Sequence, residues 1–280
     1  MRAARARALL CPANLAPFAF PRNVVVIHDA AVLRHPEWYS PAYAAWQRRL
    51  LPALARRALH VVTVSEFSRA ELSGLLGLAP GGVTVIPGGV DAAFTPGADA
   101  DRARSALGLS RPYVLCVASQ TARKNLRALV PAAQRLAADG VEVVVAGGHR
   151  PQFAREDGLA PLRHLGAVPD ALLPGLYAGA EAFALPSLYE GFGLPVLEAM
   201  ACGTPVIAAA ATALPETAGG AARLVAPEAM AEAIHAILGD PGERSRLRQA
   251  GIERAAGFTW DRTARELDAL LSARVAAPPA

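Results

Sequence analysis

Cysteine is scarce in this sequence: Cys11, Cys116 and Cys202 are all it has, and no two of them form a C-x-x-C pair. An odd, scattered set excludes a disulfide framework and a zinc knuckle and fits a reducing compartment. Long apolar runs are missing too. The charge-free stretch between Glu198 and Glu216 is interrupted by Gly203, Thr204 and Pro205, short of the ~20 apolar residues of a membrane span. Arginines and a bare Ala8-Leu9-Leu10 precede Cys11, too little for the apolar stretch of a signal peptide. A cytoplasmic protein is expected. Charge of one sign is also lacking, since 28 Lys+Arg against 24 Asp+Glu leave only +4. The arginines are scattered, so no nucleic-acid partner is expected; a small anion or an acidic membrane surface would suit the mild excess. The H-E-x-x-H, G-x-S-x-G and P-loop spacings are absent.

What is present is apolar: 53% of 280 residues, enough to bury a real core and to exclude a disordered chain. At ~150 residues per domain the length suits two domains. Short apolar runs, Val24–Ile27, Val61–Val64, Val83–Ile86, Tyr113–Val117, Val141–Ala146, Ala182–Leu185 and Val206–Ala209, alternate with helical stretches. Those stretches are Tyr43–Leu59, Ser68–Leu76, Leu126–Ala138, Leu172–Ala178 and Pro195–Ala201. Continuous rather than alternating runs suit strands buried on both faces of a parallel sheet. The rhythm predicts an α/β fold with doubly wound parallel sheets. Gly and Pro gather from Pro87 to Gly97, marking a linker between two such units. The expected division is a first Rossmann-like domain over 1–95, a second over 96–258, and a C-terminal helix and tail over 259–280. The second is long enough to be complete. The first, with three clear strands, is short and reads as incomplete. Helices are expected near Gly242–Gly257 and Asp261–Ala273, with a frayed Pro/Ala tail after them.

The segment from Pro186 to Pro205 is the most informative. After a strand ends near Leu185, Gly191 and Gly193 allow close backbone approach, and Pro195 opens a helix. The helix start offers amide N–H groups to an anion. Glu190 sits in the loop and Glu198 one turn into the helix, so two carboxylates are spaced along one ligand. A tight turn followed by an ordinary exposed glutamate satisfies the pattern equally well. A dinucleotide fingerprint would need a third glycine where Val196 stands. Arg123-Lys124-Asn125 follows a strand, where two cations could neutralise a diphosphate. Alone, such a pair is an ordinary solvated turn. His28-Asp29 ends the run Val24–Ile27; a histidine there reaches a ligand or is satisfied by backbone. Ser65 or Ser68 reads as a helix N-cap. Asp99-Ala100-Asp101 has the form of a D-x-D metal signature, but its place in the linker makes Asp101 a cap and no metal site is expected.

Taken in order, Cys11-Pro-Ala-Asn14, Val26-Ile-His28-Asp29, Val62–Ser68, Val85–Asp91, Arg123–Leu126, Leu165–Asp170 and Tyr189–Ala201 resemble the retaining glycosyltransferases of family 4, whose fold is GT-B. Glu190 and Glu198 supply that family's E-x₇-E pattern. The resemblance implies two Rossmann-like domains, the first one incomplete, with a nucleoside diphosphate sugar held mostly by the second as donor substrate and no cofactor or metal. Arg123 and Lys124 match the cations on the donor diphosphate. Glu190 matches the carboxylate on the transferred sugar, and Gly191, Phe192, Gly193 and Leu194 supply amides. Glu198 matches the ribose-binding carboxylate, Val168 and Asp170 the segment at the base, and His28 a first-domain histidine beside the sugar. The implied reaction is hexosyl transfer, such as mannosyl transfer, to a glycan, lipid-linked or small acceptor. Peripheral contact with the inner membrane face goes with a lipid-linked acceptor. Two departures stand out. The family's opening strand and glycine-rich turn have no counterpart before Cys11, and Gly88-Gly89 stands where Asn-Gly is usual. The first departure keeps a second expectation open, a chain that binds the donor without turnover or that needs a partner.

Overall fold

The computed structural model describes residues 6–276 except Pro21, Pro80, 149–151 and 154–155, so the expected Pro/Ala tail lies largely outside the described residues. The chain divides into two compact units, Met1–Gly89 with Thr259–Ala280, and Val90–Phe258. The last segment, expected as a piece of its own, thus belongs to the first unit.

In the first unit, β1 (Leu9–Cys11), β2 (Asn23–Val26), β3 (His60–Thr63) and β4 (Val83–Val85) form a parallel sheet in chain order. The period-2 alternation of side chains sorts its valines to two faces. Val25, Ile27 and Val61 pack with Leu51, Ala55 and Leu72 from α2 (Pro41–Arg57) and α3 (Glu66–Leu76), which follow a short α1 (Ala31–Arg34). Val24, Val26, Val62 and Ile86 pack with Leu267, Leu270 and Leu271 of the C-terminal helix. Both faces are covered, hence the unbroken apolar runs. Gly89 admits no side chain, because a Cβ there would stand 2.2 Å from the Trp260 amide nitrogen. That close approach accounts for Gly89, the glycine that the usual Asn-Gly shares; the departure lies at Gly88. Ser65 is the N-cap of α3, its Oγ accepting from Ser68 N at 3.0 Å.

The second unit runs α4 (Ala100–Ala106), β5 (Tyr113–Val117), α5 (Val130–Leu136), β6 (Glu142–Ala146), β7 (Arg163–Gly166), α6 (Leu173–Ala178), β8 (Ala182–Leu185), α7 (Leu194–Ala201), β9 (Val206–Ala209), α8 (Leu214–Ala218), β10 (Arg223–Val225), α9 (Met230–Gly239) and α10 (Pro241–Ala255). The helix Trp260–Ala276 that returns to the first unit is α11. All six strands pair in parallel in the order β10-β9-β8-β5-β6-β7. Tyr113, Leu115, Phe183 and Leu185 are fully buried at its centre, each stabilising by about 1.5–3 kcal/mol.

Three corrections have physical causes. β1, β7 and β10 were not expected, which makes the first sheet four-stranded rather than three-stranded. All three are edge strands; β7 and β10 open on Arg163 and Arg223, which breaks the apolar run, and β1 is only three residues long. The single helix expected over Leu126–Ala138 is a 3-10 turn (Leu126–Leu129), then α5, then a second 3-10 turn, broken where Pro131 has no N–H to donate. Asp99, not Asp101, caps α4, accepting from Arg102 N at 2.9 Å. Among the described residues no helix is long and apolar enough to cross a membrane.

Candidate active site

Strand order in the second unit reverses between β5 and β8. The chain builds outward from β5 to β6 and β7, then crosses back to β8, β9 and β10. Open α/β sheets bind ligands outside the carboxyl ends of strands at such a reversal. A cavity of about 500 Å³ opens there, lined by Val117 to Ser119 at the end of β5, Ala146 to Gly148 at the end of β6, and Arg123, Lys124, Phe153 and Ala167. Gly147 lets the two strand ends meet: at φ 138°, a Cβ would stand 2.2 Å from the Ala118 carbonyl oxygen.

The loops after β5 and β8 are tied together. Leu188 N donates to Arg123 O at 2.9 Å, Arg123 Nη1 to Tyr189 O at 2.8 Å, and Asn125 Nδ2 to Pro186 O at 3.2 Å. Asn125 is left-handed at φ 51°, a conformation asparagine tolerates. These ties turn both cations onto one carboxylate. Lys124 Nζ donates to Glu190 Oε1 at 2.5 Å and Arg123 Nη1 to Glu190 Oε2 at 3.2 Å. Lys124 and Glu190 are only 8% and 6% exposed. Burial would push the Glu190 carboxyl up, but the Lys124 and Arg123 charges win and hold it at about 2. The three side chains carry a net +1, presented to the cavity by its two cationic members. Expected as separate grips on one ligand, Arg123 and Lys124 both hydrogen-bond to Glu190.

Glu190 is held from behind as well. Its N–H donates to Thr212 Oγ1 at 2.9 Å, and Ala213 N donates to its carbonyl at 3.4 Å. Thr217 Oγ1 donates to Phe192 O. Gly193 is left-handed at φ 96°, a conformation that favours glycine, and Leu214 Cδ2 lies 2.6 Å from where a Cβ would be. Val196 N donates to Gly193 O at 2.9 Å as α7 begins. The segment after β9 thus forms the wall behind Glu190, Gly191, Phe192, Gly193 and Leu194. Thr212 itself has φ 54°, a conformation costing a β-branched residue about 1–3 kcal/mol.

Glu198 sits in a different setting. Tyr177, fully buried on α6, donates its hydroxyl to Glu198 Oε2 at 2.7 Å. Burial raises the Glu198 carboxyl pKa, partly offset by that hydrogen bond, and the Asp170 charge raises it further. Asp170 opens a 3-10 turn (Asp170–Leu172) after β7, and Val168 packs on the unit's core. Glu198 and Asp170 thus share one electrostatic neighbourhood, while neither they nor Val168 line the cavity beside Lys124. Cys116 and Cys202 are buried, each thiol pushed up to about 12 by that burial, so neither serves as a nucleophile.

His28 lies in the first unit, beyond the carboxyl end of β2. Its Nε2 is 2.8 Å from Pro12 O, and a carbonyl only accepts, so Nε2 carries the proton. Its N–H donates to Asn14 Oδ1 at 3.0 Å. Asp29 is structural, its Oδ1 accepting from Ala31 N at 2.9 Å. Beside His28 is a smaller apolar cavity of about 110 Å³, lined among others by Pro12, Val26, Val62, Ile86 and Trp260.

Sequence reasoning missed Thr212, Thr217 and Tyr177; their only signal is a position near the end of a strand or inside a helix. Lys124 carries a further sequence signal, being the only lysine among the 28 basic residues.

Comparison with known proteins follows this geometry. The profile described as "Glycosyl transferases group 1" matches residues 111–240, and that described as "Glycosyltransferase Family 4" matches residues 5–94. The O-antigen chain mannosyltransferase B of Escherichia coli is 31% identical over 88% of this chain and 68% of its own. The MMP alpha-(1->4)-mannosyltransferase of Mycolicibacterium hassiacum is 32% identical over 94% of this chain and 69% of its own. Sucrose-phosphate synthase from Thermosynechococcus elongatus matches in structure with a TM-score of 0.74 and 28% identity, over 92% of this chain and 69% of that one. The two parallel-sheet units are those of the GT-B fold. With both profiles falling on these units and relatives alike across most of the length, the chain belongs to the group 1, family 4 glycosyltransferases and is an enzyme of that kind.

Proposed function

We propose that the chain moves a hexosyl unit, mannosyl in the first instance, from a nucleoside diphosphate sugar to a glycan or lipid-linked acceptor with retention of configuration. One observation carries this: two cations converge on a buried carboxylate beside a cavity of about 500 Å³ at the strand-order reversal. Breaking the sugar–phosphate bond builds negative charge on the departing diphosphate. Arg123, Lys124 and the amides at the start of α7 are fixed before the reaction, and such preorganised charge is usually the largest catalytic contribution. Glu190 meets the transferred sugar's hydroxyls, Glu198 the ribose diol, and Val168 and Asp170 the base. The acceptor oxygen bonds to the anomeric carbon as the phosphate oxygen leaves from the same face. That leaving oxygen takes the acceptor's proton, and no cofactor or metal is needed. The mannosyltransferases among the relatives favour mannose.

Helix α2 supports peripheral contact with an acidic membrane surface on the cytoplasmic side. It exposes Trp46, Arg48, Arg49, Arg56 and Arg57 and contains no acidic residue; each basic residue near such a surface is worth about 1 kcal/mol. The test is titration of the purified chain with a panel of nucleoside diphosphate sugars, with and without acceptor. Binding of one donor and release of its nucleoside diphosphate are expected. No donor bound at millimolar concentration would overturn the reading. Binding without release would favour the second reading, a donor-binding chain without turnover.

A further inference from the structure

Thr212 combines two features that rarely coincide. Its backbone is left-handed at φ 54°, where a β-branched side chain is strained. Its Oγ1 accepts the N–H of Glu190 at 2.9 Å. Strain of this kind persists only when the surroundings over-determine it, and here they do. Ala210 N is fixed to Val225 O at 2.8 Å on one side. On the other, Ala213 and Leu214 are fully buried at the start of α8. A glycine at 212 would remove the strain, but it would carry no acceptor for Glu190. The carboxylate end of Glu190 is held by Lys124 and Arg123 and its main chain by Thr212, so the residue is clamped from both ends.

We infer that Thr212 is a positioning residue: its hydroxyl fixes the backbone of Glu190 and thereby the register of that carboxylate against Lys124 and Arg123. It acts through Glu190, and the inference rests on the reading of Glu190 as a sugar-facing group. Because Lys124 is the only lysine in the chain, its amine reports on the clamp without any turnover. A loosened Glu190 leaves that amine more open to acylation.

The test compares the parent with Thr212→Ser, Thr212→Val and Thr212→Gly. Serine keeps the acceptor, valine keeps the branched shape without it, and glycine relieves the backbone without it. Acetic anhydride labelling at Lys124, read by peptide mass mapping, should rise severalfold in Val and Gly and stay near the parent in Ser. In the same four chains, kcat for donor turnover should fall about 10–100-fold in Val and Gly, the scale of small misplacements at a reacting centre. KM for the donor should change less than about threefold, and Ser should restore kcat. The Gly variant should melt no lower than the parent despite its lost activity, which a merely structural role would not produce. Equal labelling of Lys124 in all four chains overturns the inference, as does a loss of nucleoside diphosphate binding that parallels the loss of kcat. A parent that labels as expected but never turns over counts against the proposed transfer reaction, not against the clamp.

Discussion

Glu190 and Glu198 stand eight residues apart in one loop and helix, yet their surroundings push them in opposite directions. Two cations hold Glu190 at about 2 against its burial. Burial and the Asp170 charge raise Glu198, whose one strong partner is the neutral hydroxyl of Tyr177. A buried carboxylate is therefore an anion or a potential acid according to what faces it, not according to depth. The first is fitted to a region where charge must stay fixed.

The comparison can be broken most forcefully at Glu190. Glu190→Ala removes the anion facing Lys124 and Arg123, and breaking a buried pair costs about 3–5 kcal/mol. Urea unfolding should show that loss, and donor turnover should vanish. An Ala variant as stable and active as the parent would mean the triad contributes nothing. Next in size, Lys124→Met should weaken nucleoside diphosphate binding by about tenfold or more, the scale of a charge-assisted contact, while leaving the free nucleoside within about twofold. Calorimetry with both ligands decides it, and equal losses would place Lys124 away from the diphosphate.

The pH dependence sharpens the contrast. Glu190 is lowered in the folded chain from an ordinary 4.5 to about 2, so its stabilisation is complete above 4.5 and is lost as pH falls towards 2. Glu190→Gln should therefore flatten the fall in melting temperature between pH 4.5 and the acid limit. Glu198 is raised. Its contribution is complete below 4.5 and is lost as pH rises through the folded value. Glu198→Gln should flatten the curve on that higher side and should be the milder change, under about 1 kcal/mol at neutral pH, since no charged pair is broken. Matching slopes in the two variants would erase the distinction.

How much of this was legible in sequence depended on where a residue sits in its sheet. Tyr113–Val117, Ala182–Leu185 and Val206–Ala209 were read to the residue because interior strands must be apolar on both faces. The edges β7 and β10 carry Arg163, His164 and Arg223 and left no comparable run, and β1 is only three residues long. In the site, Arg123, Lys124, Glu190 and Glu198 carry residue types that announce chemistry. Their mutual pairing did not show, since it depends on a left-handed Asn125 and on hydrogen bonds to the carbonyls of Pro186 and Tyr189. Thr212 was silent because nothing in Ala211-Thr212-Ala213 marks a positive φ.

The path of α11 has a consequence for biosynthesis. The sheet face made by Val24, Val26, Val62 and Ile86 is covered by Leu267, Leu270 and Leu271, which leave the ribosome only after the whole of Val90–Phe258 has been translated. The early unit therefore waits with one apolar flank bare while the later one is being made. That flank is where a nascent chain would attract a chaperone, and where a stalled or prematurely stopped product would be most prone to clump.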